Sequence, residues 1–232
     1  MDSVTQLPLN IYLRPDANFN NFYDGNNRVI INYLKNFLHN SQDWFVYLWG
    51  NSGSGRTHLL QAIYYLAEAC GHQVVYLPLR EVIQTSPDLL ENLENFSLVL
   101  LDDIDIIKTN ALWQEAIFHL YNRIHAAKHH LLVSASCAPQ NLNFTLSDLS
   151  SRLIAGTVFR LKDLSEEQKL AALQIRAKQY GLTLSLEVAE FMLHHWQRDL
   201  PSLLEALEKL DHASLVAKRK LTIPFVKSVL NI

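Results

Sequence analysis

The sequence has few cysteines and no long apolar run. Only Cys70 and Cys137 occur among 232 residues, and their spacing does not match a cysteine-based metal site. The apolar runs are far shorter than the roughly 20 residues that a membrane-spanning helix needs. The N-terminus lacks a basic segment followed by an apolar one. We therefore expect no membrane role and a cytoplasmic location.

Basic charge is also not in excess. The formal net charge is -3, whereas non-specific affinity for DNA depends mainly on lysine and arginine. Any contact with DNA is therefore expected to be local or to depend on a partner. Hydrophobic residues make up 49% of the chain, which is enough for one large domain or for one domain with a small companion.

Glycine is scarce, yet three of the seven glycines lie between positions 50 and 55. The stretch GNSGSGRT at 50–57 matches a phosphate-binding loop, whose backbone N–H groups and following helix surround phosphate oxygens. An apolar strand pattern precedes it and a helical pattern follows, as the motif requires. An ordinary glycine turn is the alternative. The predicted nucleotide-binding residues here are Gly50, Ser52, Gly53, Ser54, Gly55, Arg56 and Thr57.

Arg56 stands where the motif has lysine. It keeps the positive charge, but its planar fork is bulkier than an ammonium group and is not a compact point charge. We expect nucleotide binding to survive this change, whereas efficient hydrolysis is not expected.

Strand and helix patterns alternate through the first two thirds of the chain, which predicts an α/β fold with a parallel five-stranded sheet covered on both faces. The strand patterns lie at 45–49, 73–77, 97–101, 131–135 and 157–161. Only helical patterns follow, at 165–180, 186–197, 202–216 and 224–230. We predict an N-terminal tail at 1–18, a nucleotide-binding subdomain at 19–162 and a helical lid at 163–232.

The third strand pattern ends in two carboxylates, Asp102 and Asp103. In phosphate-loop proteins such a position places an aspartate beside the Mg²⁺ that the loop hydroxyl holds, so Thr57 and Asp102 are predicted metal residues. Asp103 is a candidate catalytic residue that could orient a water molecule. A solvated side chain at the end of a strand is the alternative for Asp103.

These motifs, the helical lid and several short stretches resemble the AAA+ ATPases related to the bacterial initiator DnaA, and more narrowly the Hda family of regulatory inactivators. The stretches are LW at 112–113, AIF at 116–118, LYNRI at 120–124 and RKLTIPFVK at 219–227. The resemblance implies a negative regulator of replication initiation that binds the DNA-loaded sliding clamp of DNA polymerase III and stimulates hydrolysis of ATP on DnaA. It also implies ADP (or ATP) and Mg²⁺ as ligands, and weak or no ATPase activity.

The resemblance assigns clamp binding to an N-terminal motif, although the family usually has a polar residue at position 8 and proline at position 10. The motif residues are Gln6, Leu7, Leu9 and Ile11. It also assigns an arginine finger, acting on a neighbouring protein, to Arg152 in the stretch LSSRL at 149–153. A frayed tail and a surface arginine beside Asp148 are the alternatives.

The sensor positions depart from the DnaA pattern. Ser136 stands where an aspartate is usual, and Pro201 stands where an arginine is expected, with Arg198 close enough to substitute. The segment 19–27 resembles the part of the family that packs on adenine, and it adds Tyr23 and Gly25 to the predicted nucleotide site. Its two phenylalanines could equally anchor the N-terminus to the core.

Because the chain ends at Ile232, we expect no helix-turn-helix domain after the lid, and hence mainly indirect contact with DNA through the clamp. Two other functions stay open at this point: an autonomous ATPase, and a nucleic-acid loader or adaptor suggested by the basic run at 218–220. The sequence also leaves open which nucleotide binds, and whether the partner of Arg152 is DnaA or a second copy of this chain.

Overall fold

A five-stranded, all-parallel sheet forms the centre of the larger subdomain. The computed structural model describes residues 13–39, 43–217 and 219–232. Its strands are β1 (Phe45–Trp49), β2 (Val74–Pro78), β3 (Leu98–Asp102), β4 (His130–Ala135) and β5 (Thr157–Arg160). They pair in the order β2-β3-β4-β1-β5, so that β1, β3 and β4 are interior strands.

Helices cover both faces of the sheet because its strands carry apolar side chains on both sides. The helices of this subdomain are α1 (Arg28–Lys35), α2 (Arg56–Ala69), α3 (Leu79–Val82), α4 (Ala111–Ala127) and α5 (Ser147–Ala155). One core packs Tyr47, Leu101 and Trp113 of α4, and the opposite core packs Leu48, Leu100 and Leu59 of α2. The alternation along each strand follows from the period of two in a pleated strand.

The C-terminal part is a separate layer of helices with its own core. It contains α6 (Glu166–Gln179), α7 (Leu186–His195), α8 (Leu200–Ala217) and α9 (Ile223–Leu230). Its buried cluster includes Leu173, Met192 and Leu207. The helix starts follow from the local sequence: Ser165 and Gln168 form a capping box at the start of α6, and the Ser185 side chain caps α7.

The predicted α/β fold with a helical lid is confirmed, and the differences lie at helix starts. Helix α2 begins at Arg56, inside the phosphate-loop motif, because Gly55 in the left-handed conformation ends the loop at that point. Helix α8 begins at Leu200, which places Pro201 in its first turn. Proline is tolerated there because a backbone N–H in the first turn would have no intrahelical acceptor, so its absence from proline costs no hydrogen bond.

Within the described ranges, no helix is both long and apolar enough to cross a membrane.

Gln114 joins α4 to the segments on either side of it. The side chain is fully buried, and its amide nitrogen donates to the carbonyl oxygens of Ile107 at 3.1 Å and Lys108 at 2.9 Å. Its carbonyl oxygen accepts from the Thr145 hydroxyl at 2.9 Å and from the Leu146 N–H at 3.0 Å. Leu146 directly precedes α5, so Gln114 fixes where that helix begins.

Replacing Gln114 with methionine should lower the free energy of unfolding by at least about 2 kcal/mol, because it leaves four buried or half-buried groups without their partner. Urea unfolding followed by circular dichroism measures this. The same substitution at the exposed Gln140 is the control and should change stability by less than about 0.5 kcal/mol. Equal effects at the two positions would contradict the role given to Gln114.

Candidate functional site

The glycine-rich loop connects β1 to α2 at the carboxyl edge of the sheet. Gly53 and Gly55 have φ angles of +78° and +94°, which residues with a side chain rarely adopt. The loop delivers the chain into α2, whose first turn has backbone N–H groups without intrahelical acceptors. This arrangement can bind an anion such as a phosphate group.

Two neighbouring segments pack so closely on this loop that only glycine fits. A Cβ at Gly55 would lie 2.4 Å from the Phe22 ring, and a Cβ at Gly53 would lie 2.8 Å from Pro201. Phe22 belongs to the N-terminal segment and Pro201 to the lid helix α8. The loop is therefore covered from both ends of the chain, and its glycines permit that close approach.

Ser54 gives an independent indication that the loop receives a polar group. Its hydroxyl oxygen is buried and has no hydrogen-bond partner in the described part of the chain. A buried hydroxyl without a partner costs free energy, which a phosphate oxygen would recover by accepting its hydrogen bond. The loop thus fits the phosphate group that the sequence predicted.

Arg56 turns back onto the loop and onto the acidic end of β3. Its Nη1 donates to the carbonyl oxygen of Gly50 and, at 3.4 Å, to that of Asn51. Its Nη2 donates to Asp103 Oδ1 at 2.9 Å, with only 11% of the arginine side chain exposed. The cation of the loop is therefore already paired with an acid of this chain.

Asp102 and Asp103 have opposite surroundings. Asp102 is 3% exposed and accepts hydrogen bonds from two hydroxyl groups, those of Tyr76 at 2.8 Å and Ser134. Burial and then the charge of Asp102 raise the pKa of Tyr76, so its hydroxyl remains a donor. Asp103 is instead paired with Arg56 and, through Oδ2 at 3.2 Å, with Arg80.

Thr57 and Asp102 are the predicted metal residues. Thr57 is exposed and lines the cleft beside the loop, whereas Asp102 is buried at the end of β3. Hydroxyl and carboxylate oxygens are ligands that suit Mg²⁺, which usually takes the remaining ones from water and phosphate. Within the described residues, no group of three or more His, Cys, Asp or Glu side chains could hold a metal ion without such help.

The N-terminal segment 13–27, which we call the strap, lies across the start of α2 and reaches the lid. The carbonyl oxygen of Asn18 is 3.0 Å from Nε2 of His58, and burial lowers the pKa of that imidazole. Asp16 forms an ion pair with Arg176 of α6. Tyr23 lines the cleft, and Gly25, with φ of +48°, packs against Leu164. The strap therefore forms one wall of the cleft.

The loop, the strap and the lid together enclose a cleft of about 710 Å³. This volume lies within the range of small-molecule and cofactor sites. The lining side chains that are charged, titratable or aromatic are Arg14, Asp16, Phe22, Tyr23, Arg56, His58, Arg176, Tyr180, Glu205 and Glu208. The predicted loop residues Gly53, Ser54, Gly55, Arg56 and Thr57 all lie on this cleft.

The predicted sensor residues, Ser136 and Arg198, do not line the cleft. The N–H and hydroxyl of Ser136 both donate to Asp105, at 3.0 and 2.7 Å. Arg198 is 66% exposed, with its guanidinium 3.7 Å from Glu166, and it does not line the cleft. Pro201 is the residue of this region that does line the cleft. No guanidinium from α8 therefore reaches the cleft in the described chain.

Arg152 lies on the exposed surface of α5, outside the lining of the cleft. Its guanidinium carbon is 5.9 Å from the centre of the Tyr121 ring. Among the described residues no carboxylate, Asp148 included, forms an ion pair with it. The clamp-binding motif, with Gln6, Leu7, Leu9 and Ile11, lies outside the described residues.

The residues of this site that sequence reasoning missed include Tyr76, Arg80, Ser134 and Arg176. Pro78 pairs with Asp102 in the sheet, so Arg80, two residues later, emerges beside Asp103. Ser134 follows Val133, the partner of Leu101, and so lies beside Asp102. Polar residues at the ends of adjacent parallel strands were the signal that could have found Arg80 and Ser134. For Arg176 the sequence offered no comparable signal.

Family models and solved structures both show a similarity between this chain and DnaA. The family model of the bacterial DnaA ATPase domain matches residues 13–160, and the Hda lid domain model matches residues 166–230. Domain III of the Thermotoga maritima replication initiation protein DnaA has a similar fold, with a TM-score of 0.80 and 22% identity over 95% of this chain and 98% of that chain.

Two further solved structures share the fold. DnaA from Aquifex aeolicus, bound to AMPPCP, has a TM-score of 0.73 and 23% identity over 85% of this chain and 66% of that chain. The Thermotoga maritima RuvB Holliday junction branch migration motor has a TM-score of 0.69 and 15% identity over 94% of this chain and 72% of that chain. Since the DnaA ATPase model spans more than half of the sequence and the Hda lid model follows it, this chain belongs to the DnaA-related AAA+ family and carries an Hda-type lid.

Proposed function

We propose that this protein is a negative regulator of chromosomal replication initiation. It binds the DNA-loaded sliding clamp and stimulates hydrolysis of ATP bound to DnaA, which converts the initiator to its ADP form. Membership of the DnaA-related family and the Hda-type lid support a role connected with replication. The position of Arg152 is the observation that carries the finer proposal.

Arg152 is suited to act on a neighbouring protein. It is exposed, has no acidic partner among the described residues and lies outside the cleft of its own chain. Tyr121 supports its guanidinium from one side by a cation–π contact. An arginine presented to another protein's nucleotide stabilises the charge that develops on the γ-phosphate, which accelerates hydrolysis by about 10³ to 10⁵.

The nucleotide of this chain has a different role in the proposal. The loop backbone and the Ser54 hydroxyl would hold the phosphates of ADP, and Thr57 would contribute an oxygen to Mg²⁺, with Asp102 acting nearby. Bound Mg²⁺ supplies positive charge against the phosphate oxygens. No lid arginine replaces Pro201, and Asp103 is already occupied by two guanidinium groups. We therefore propose weak or no ATPase activity and a structural role for ADP.

Recruitment to the clamp is assigned to Gln6, Leu7, Leu9 and Ile11. A glutamine amide with apolar side chains in an extended segment suits peptide recognition by a groove with apolar pockets. Only five positions separate Ile11 from Asp16, which pairs with Arg176 of the lid. Clamp binding would therefore place the whole AAA+ module close to the clamp and to DnaA working on the same DNA.

Replacing Arg152 with alanine should abolish the stimulation of hydrolysis on DnaA, a fall of about 10³-fold or to the unstimulated rate. The measurement is single-turnover hydrolysis of labelled ATP bound to the cognate DnaA in the presence of clamp-loaded DNA. Arg160 is the control, because it is also exposed and lies 5.0 Å over an aromatic ring, that of Trp49. If Arg160→Ala abolishes stimulation as fully as Arg152→Ala, or neither does, the finger assignment is wrong.

Replacing Gln6 and Leu7 together with alanine should reduce retention on immobilised clamp to background, because the hydrogen-bonding amide and one apolar anchor are both lost. Thr5→Ala, immediately before the motif, should retain binding. Unchanged retention of the double variant would remove the recruitment step. Retention of the wild-type protein on bare DNA, decreasing with salt, would favour the loader function.

Replacing Thr57 with valine should remove the Mg²⁺-dependent part of ADP binding and leave the Mg²⁺-free part within about threefold, because only the hydroxyl is lost from a side chain of the same shape. Titration of a fluorescent ADP analogue with and without EDTA measures both parts. The exposed Thr109 offers the same substitution away from the cleft. An Mg²⁺ effect that persists in Thr57→Val would exclude Thr57 as a ligand.

A further inference from the structure

The positive charge of the phosphate loop, on Arg56, is already paired within the chain with Asp103, the residue that follows β3. We propose that Asp103 acts as the counter-anion of Arg56 and thereby makes the site specific for nucleoside diphosphates over triphosphates. Asp103 is then a specificity-determining residue, and it is not a catalytic one. This inference rests on the proposed binding of a nucleotide at the loop.

Both terminal nitrogens of Arg56 are engaged within the chain. One guanidinium nitrogen donates to the carbonyl oxygens of Gly50 and Asn51, and the other donates to Asp103. In phosphate loops the cation at this position serves the β- and γ-phosphates. A γ-phosphate would therefore have to compete with Asp103 for Arg56.

Several contacts hold Asp103 in place, so its carboxylate cannot readily leave Arg56 when a ligand binds. Arg80 contacts its second carboxylate oxygen at 3.2 Å, and its backbone N–H donates to the Ser134 hydroxyl at 2.9 Å. Its φ angle is +57° in the left-handed region, which fixes the direction of its side chain. The side chain is only 17% exposed, so water screens this charge weakly.

A diphosphate avoids this competition. The loop N–H groups and the Ser54 hydroxyl can satisfy its oxygens without disturbing the pair between Arg56 and Asp103. A third phosphate adds negative charge to a cleft whose lid wall already presents Glu205 and Glu208. No arginine replaces Pro201, and the lid guanidinium that does line the cleft, that of Arg176, is already paired with Asp16. The penalty therefore falls on the triphosphate alone.

Replacing Asp103 with asparagine tests this directly. Asparagine has nearly the same shape, keeps the N–H bond to Ser134 and tolerates a positive φ angle, so the fold should be retained. The affinities for ADP and for AMPPCP are measured by competition with a fluorescent nucleotide. We expect the wild-type protein to prefer ADP, and Asp103→Asn to shift the ratio of the two affinities at least tenfold toward AMPPCP. The affinity for ADP should change less than threefold.

A control and a second background complete the test. Glu94→Gln removes the acid from another arginine pair, with Arg123 at 2.9 Å and away from the cleft, and should leave the ratio unchanged. In an Arg56→Gln background the effect of Asp103→Asn should disappear, because its partner is gone. An unchanged ratio in Asp103→Asn, or the same shift in the Arg56→Gln background, would overturn the inference while nucleotide binding stands. Failure of the wild-type protein to bind ADP would overturn this inference together with the proposed structural role of ADP, and would leave the assignment of Arg152 to its own test.

Discussion

The parallel register of the central strands is the constraint on which the site depends. Trp49 at the end of β1 pairs with Ala135 of β4, Leu101 of β3 pairs with Val133, and Pro78 of β2 pairs with Asp102. These hydrogen-bonded ladders hold the four strand ends level at one edge of the sheet. Arg56 and Asp103, 47 residues apart in sequence, can therefore form an ion pair, and Arg80 can join it.

Two adjacent acids at this edge of the sheet, Asp102 and Asp103, have different partners. Asp102 is buried and accepts hydrogen bonds from two neutral hydroxyl groups, and no cationic side chain in the described part of the chain forms an ion pair with it. Asp103 is balanced by two guanidinium groups. A buried uncompensated carboxylate attracts a cation, whereas a paired one does not. Asp102 can therefore favour a metal ion at the strand end, whereas Asp103 fixes the position of Arg56.

The fold was largely accessible from the sequence because its determinants are local. Apolar patterns and the glycine-rich loop predicted each strand and lid helix within a few residues. The arrangement of charges was less accessible. Whether Arg56 points to a ligand or to Asp103 depends on the order β2-β3-β4-β1, which no single segment encodes. The pair of Asp16 and Arg176 joins positions 160 residues apart, beyond the reach of any motif. The assignments of sensors, arginine finger and clamp motif stay predictions.

The walls of the cleft come from both ends of the chain, the strap on one side and α6 and α8 on the other. The sheet subdomain and the lid each have their own core, so each has the means to unfold by itself. A nucleotide that contacts both walls binds only when both are folded, and at 100 times its dissociation constant it adds about 2.7 kcal/mol to that state alone. Occupancy of the cleft would therefore merge two unfolding units into one cooperative transition.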